Sequence, residues 1–143
     1  QIVIEKTEAM TTIDVNSRFS SVHDDPELGA LAVNLEAAAE MAQDGAEIEV
    51  VDLRTVKPID TDTIIASVAR TGRLLCLAEE WPWGGVNAEV ISRVVAEGFN
   101  LLDAPPQRIN AKDTPIPYHP DLWSVHRPTA QSIVATARQL LRN

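Results

Sequence analysis

The chain has 143 residues, 45% of them apolar, which suits one globular domain burying roughly two-thirds of its unfolded surface. Lys and Arg total 12 against 21 Asp and Glu, a formal charge of −9, and so acidic a surface repels phosphate backbones, which argues against nucleic acid as a partner. No apolar run approaches the ~20 residues that cross a bilayer, the opening residues lack a signal peptide's features, and the single Cys76 excludes an internal disulfide or a cysteine-based zinc site.

In chain order, Ile2 to Ile4 and Thr11 to Val15 read as two short strands split by a turn near Glu8, and this opening segment can add an antiparallel edge. Ser20 to Asn34 is a polar passage in which Asp24, Asp25 and Pro26 look like a helix cap followed by a first-turn proline. Leu28, Leu31, Leu35, Ala38, Ala39 and Ala42 then recur at helical spacing, with Gly45 as the helix end. The run Ile48–Leu53 predicts a buried strand. Arg54 through Pro58 break it, and Asp60 or Asp62 can accept free amide groups at the start of a helix over 61–69 that Gly72 closes.

Leu74 to Ala78 predicts the next strand, leading through Trp81–Gly85 into a helix with Val86, Val90, Ile91, Val94 and Val95 as its buried stripe. A short strand is expected at Gln107–Asn110 after Pro105 and Pro106, followed by a proline-rich loop over 112–128. The last helix starts at Thr129 and buries Ile133, Ala137, Leu140 and Leu141. Strands alternating with helices imply crossover units in a mainly parallel sheet, and the runs VVDL and LLCLA are apolar on both faces, as a doubly covered sheet requires.

Few residues carry a chemical signal. Glu79 and Glu80 are adjacent at a strand's carboxyl end, where open α/β sheets bind ligands, but neighbouring strand residues point to opposite faces and cannot act together on one bond. The favoured reading is structural: an acid capping the next helix or pairing with Arg. Trp83–Val86 opens a helix whose free N–H groups could cradle an anion, yet the chain holds no GxxxxGK[ST] and no GxGxxG after a strand. Trp81 and Trp83 suit either an interface anchor or simple packing. His23, His119 and His126 fall in expected loops without metal spacing, and of these His119, in Pro117-Tyr118-His119-Pro120, is the best placed for an interface. Arg54 after its strand suits a structural salt bridge, and Cys76 within its apolar run reads as an inert buried thiol.

Three stretches together carry a resemblance: Asp52-Leu53-Arg54-Thr55-Val56-Lys57-Pro58-Ile59-Asp60, the run LCLAEEWPWGGVNAE from Leu75, and LDAPPQRINAKDTPIPY ending at Tyr118. In this order they resemble the C-terminal domain of transketolase-like thiamine diphosphate enzymes, most closely the β subunit of the 2-oxo acid dehydrogenase E1 component. Ser20 to Asn34 departs from the family pattern, being longer and more polar, and the Glu79–Glu80 turn is a residue shorter than usual.

The resemblance implies a three-layer αβα domain with a mainly parallel five-stranded sheet and an antiparallel edge strand. Residues 1–143 would be one such domain, and Gln1 in place of an initiator Met suggests a piece of a longer E1 β chain. In the family, thiamine diphosphate and Mg lie between other domains, so no catalytic, cofactor-binding or metal residue is carried over. The implied partners are the E1 α subunit, a second E1 β copy and the peripheral binding domain of the E2 acyltransferase, in bacterial cytoplasm or mitochondrial matrix. Trp81, Trp83, Asp103, Asp113, His119 and Asp121 are the candidate interface residues. The alternatives are 1-deoxyxylulose-5-phosphate synthase, transketolase or an acetoin-type enzyme, or a free-standing binding module without any enzyme.

Overall fold

The computed structural model describes residues 9–15 and 26–142. Strand β1 (Ala9–Val15) is followed by helix α1 (Pro26–Gln43), β2 (Glu47–Leu53), α2 (Thr61–Thr71), β3 (Leu74–Ala78) and α3 (Val86–Gly98). A 3-10 turn (Phe99–Leu101), β4 (Gln107–Ile109), α4 (Pro120–His126) and α5 (Ala130–Arg142) complete the order. The strands form one sheet in the order β2-β1-β3-β4, and every pairing is parallel. The segment 2–4, expected as an antiparallel edge, lies outside the described residues.

Side-chain alternation along the strands divides the core into two layers. Met10, Leu75 and Leu77 point to one face, where Ala37 and Met41 of α1 and Ile133, Val134, Ala137 and Leu140 of α5 cover them. Ile13, Leu74, Cys76 and Ala78 point to the other, beneath Ile64 and Val68 of α2 and Val90 and Val94 of α3. All five β3 residues are buried, which accounts for the unbroken LLCLA run. The result is the expected αβα sandwich.

Local chemistry sets most boundaries. The Asp60 carboxylate accepts from the Thr63 amide (3.1 Å) and the Thr63 hydroxyl (2.8 Å), which starts α2. Gly72, at φ 69°, closes it by donating its amide to Val68 O (2.8 Å). Strand β2 begins one residue earlier than expected, α2 runs two residues longer, and β4 stops at Ile109 instead of Asn110.

Two expected stripes are corrected. Among the α1 residues whose burial is described, 33–43, the buried positions are Asn34, Ala37 and Met41, whereas Leu35 is 52% exposed and Ala39 and Ala42 face solvent; Leu28 and Leu31 lie outside them. An alanine-rich helix has weak amphipathic contrast, so the large Met41 and the fit against α5 decide which side turns inward. On α3, Val95 is exposed, because the apolar stripe through Val90 and Val94 is narrow enough to leave it at the rim.

Helix α1 leaves β1 toward one face and α3 leaves β3 toward the other. The carboxyl ends of β1 and β3 therefore flank the switch point of the sheet, the usual place for a site in open α/β folds. The turn Glu79–Gly85 emerges there.

Candidate functional site

The acidic pair lies in the turn just after β3, and its two members do separate tasks. The Glu80 carboxylate folds back onto the start of α3 and accepts from the amides of Val86 (2.8 Å) and Asn87 (2.9 Å). A negative group at a helix amino end also complements the helix dipole. A Cβ on Gly85 would overlap that carboxylate, so glycine is what admits it. Glu79 points away and meets Arg127 at 3.5 Å. Both structural roles foreseen for the pair are thus filled, one by each acid. The anion cradle considered at Trp83–Val86 is not available, because Glu80 holds the amides of Val86 and Asn87.

The same turn grips the proline-rich segment after β4, hereafter the strap, residues 111–119. Ala111 donates its amide to Glu80 O (3.0 Å), Trp81 donates Nε1–H to Thr114 O (3.1 Å), and Trp83 donates Nε1–H to an Asp113 carboxylate oxygen (2.9 Å). The strap closes on α4: Lys112 donates its amide to His126 O (3.1 Å), and the Thr114 hydroxyl lies 3.2 Å from His126 Nδ1. His126 is buried, and Arg127 sits 5.9 Å above the Trp123 ring.

Helix α4 interrupts the loop expected over 112–128. His119 Nδ1 accepts from the Asp121 amide (3.3 Å), Pro120 occupies the first turn, and the Ser124 hydroxyl donates to Asp121 O (2.7 Å). Proline followed by Asp is a helix-start signal that could have revealed this element. Leu122 and Val125 of α4 are exposed, as are Ile116 and Tyr118 of the strap, Tyr118 fully, and Trp83 is 76% exposed.

Five of the six candidate interface residues, Trp81, Trp83, Asp113, His119 and Asp121, therefore gather at the carboxyl edge of the sheet. Asp103 does not join them. Its amide donates to Gly72 O (2.7 Å), just before β3 begins, which places it at the amino edge. Sequence reasoning did not single out His126, Arg127, Leu122 or Val125 for this surface. Arg54 pairs with Asp52 in a salt bridge, as its position after β2 suggested.

The chemistry available at this edge is limited. Among the described residues no three His, Cys, Asp or Glu side chains are grouped to hold a metal ion. A cavity between α1 and the sheet, lined by Thr12, Asn34, Met41 and Ile133 among others, has about 10 Å³ of room, enough for one water at most. No described helix is long and apolar enough to cross a membrane. Glu80 meets the start of α3 with negative charge, so these residues do not fit the diphosphate of thiamine diphosphate.

These features define a parallel αβα domain whose carboxyl sheet edge carries the exposed Ile116, Tyr118, Leu122 and Val125, and among the described residues no metal-binding group is assembled. A model described as "Transketolase, C-terminal domain" matches residues 29–133, and the chain belongs to that family. A Ribonuclease E/G family model matches residues 1–45, a stretch whose described elements, β1 and the whole of α1, are integral to the same sheet and layer.

Among relatives, the pyruvate dehydrogenase E1 component subunit beta of Rickettsia felis is 40% identical over 106 residues, covering 74% of this chain and 32% of that protein. The mitochondrial pyruvate dehydrogenase E1 component subunit beta-1 of Arabidopsis thaliana is 41% identical over 105 residues, 73% of this chain and 29% of that protein. The acetoin:2,6-dichlorophenolindophenol oxidoreductase subunit beta of Bacillus subtilis is 40% identical over 107 residues, 75% of this chain and 31% of that protein. The chain spans about a third of the length of these relatives. In fold it is similar to a split gene transketolase solved as an inactive beta4 tetramer, with TM-score 0.71 and 22% identity over 99% of this chain and 40% of that one.

Proposed function

We propose that this chain is the C-terminal assembly and docking domain of the β subunit of a thiamine diphosphate-dependent 2-oxo acid dehydrogenase E1. The parent reaction is oxidative decarboxylation of a 2-oxo acid with acyl transfer to the lipoyl group of E2. The observation that carries the reading is about 40% identity to pyruvate dehydrogenase E1 β subunits over roughly three quarters of the chain. Thiamine diphosphate and Mg are bound by other parts of the parent and supply the electron sink for decarboxylation. No step of that chemistry is assigned to the residues of this chain, which have no turnover alone.

Their task is recognition. Tyr118, Leu122 and Val125 offer the apolar contact area that anchors an interface, Trp81 and Trp83 brace it, and Asp113 and Asp121 offer negative charge to basic groups of a partner. The partners in this reading are E1 α, a second E1 β copy and the peripheral binding domain of E2, with bacterial cytoplasm or mitochondrial matrix as the compartment. Asp103, at the opposite sheet edge, serves as an internal control.

Similarity to the Bacillus subtilis acetoin enzyme supports a second reading in which the parent accepts acetoin. The test is to combine the full-length β subunit carrying this chain with its α subunit and measure thiamine diphosphate-dependent dye reduction with pyruvate, branched-chain 2-oxo acids and acetoin. Activity with none of them overturns the proposal, and activity with acetoin alone selects the second reading. Tyr118→Ala and Asp121→Ala should weaken E2 binding at low salt while Asp103→Ala does not. Equal affinities for all three variants would remove the docking surface.

A further inference from the structure

The strap and α4 are fastened to the rest of the domain through a short run of chain. Four of the five residues from Glu79 to Trp83 supply contacts to Ala111, Asp113, Thr114 and Arg127. The sheet itself holds the strap's entry only through the three residues of β4. The conformation of that run therefore decides where the strap sits.

The conformation in turn depends on one side chain. Glu80 is the only residue of the run that closes the turn onto α3, through the amides of Val86 and Asn87, while its carbonyl holds Ala111. Between these anchors the backbone passes through Gly84 at φ 68° and the Cβ-free Gly85, two positions with little stiffness of their own. Without the carboxylate, Trp81 and Trp83 would project from a turn with no closing contact, and their indole N–H groups would lose the strap together.

We infer that Glu80 is the positioning residue of the strap–α4 surface: one carboxylate at the start of α3 fixes the tilt of a recognition element assembled from a distant part of the sequence. This rests on the docking reading only for its consequence in the parent, since the coupling belongs to the free protein. Glu80 acts through Trp81, Trp83 and Ala111.

The test is amide hydrogen exchange, followed by mass spectrometry, on the protein without partner, comparing Glu80→Ala and Glu80→Gln with the parent sequence. Loss of the cap should speed exchange at Val86 and Asn87. At Ala111, Lys112 and Arg127 it should rise in step, by about fivefold or more for hydrogen bonds of ordinary strength, with α5 and β1 unchanged. Glu80→Gln keeps the shape and one acceptor, so it should show the same pattern at smaller amplitude, and it carries the test alone if the alanine variant does not fold. A rise confined to Val86 and Asn87 overturns the inference. So does a parallel rise throughout the domain, which would make Glu80 a residue of global stability only. A failed Tyr118 binding experiment leaves this outcome untouched, so the two claims fall separately.

Discussion

Thr11→Val tests how the sheet is joined to its helical layer. Thr11 is fully buried on β1, and its hydroxyl lies 2.7 Å from Ser67 Oγ and 2.6 Å from Thr71 Oγ1, both on α2. Valine keeps nearly the same volume, so the perturbation removes hydrogen bonds without opening a cavity. Neither survivor is stranded: Thr71 Oγ1 stays within 3.2 Å of the Ser67 and Arg73 carbonyls, and Ser67 donates to Glu49. The full penalty for an orphaned buried group therefore does not apply, and the cost is two net hydrogen bonds, about 2 kcal/mol. In urea this should lower the midpoint by about 1 M with an unchanged slope, and in a thermal scan lower Tm by about 6 °C. Pairing it with Thr71→Val in a double-mutant cycle should leave a coupling of at least about 0.5 kcal/mol. A neutral or stabilised Thr11→Val would refute the reasoning, because apolar burial would then outweigh the hydroxyl cluster.

Three further outcomes are expected. Gly72→Ala should destabilise by about 1–3 kcal/mol, since it places a side chain at φ 69° and drives its Cβ into the Asp103 carboxylate; an unchanged urea midpoint would show that Asp103 moves aside freely. The Arg70 guanidinium, hydrogen-bonded to Glu49 with help from Ser67, holds that carboxyl below the usual glutamate range. The folded-state pKa being depressed, its contribution is present above the ordinary glutamate pKa and is lost as pH falls through the lower folded value. Arg70→Gln should thus lower stability at pH 7 and leave it unchanged near pH 2, as followed by urea unfolding at both. Burial pushes the Cys76 thiol up to about 12, so a thiol reagent at pH 8 should modify it only at the rate of unfolding, and rapid labelling of the native protein would contradict its burial.

Local chemistry written into consecutive residues was legible from the sequence. The fully apolar β3 run, an Asp cap at 60 or 62, the Gly72 stop and the α5 stripe each follow from nearest-neighbour rules, and together they specify an αβα sandwich. The interface candidates were half legible: aromatic residues in a Gly/Pro turn announce a surface, but not what that surface is built upon. Helix α4 went unseen because seven residues give too little periodicity to stand out from a proline-rich background.

What only the tertiary structure decided depends on residues far apart in the chain. Ala111 meets Glu80, Trp83 meets Asp113 and Arg127 meets Glu79, none of them within a turn's reach in sequence. Asp103 and Asp121 look alike as loop acids, and only the path of the backbone sends one to the amino edge of the sheet and the other to the carboxyl edge. The inward side of α1 was settled the same way. Ala37 and Ala39 have equal intrinsic preference for burial, so packing of Met41 against α5 made the choice. Sequence spacing defines which residues can share a face, and it is the contact across layers, a long-range property, that selects among faces of nearly equal hydrophobicity.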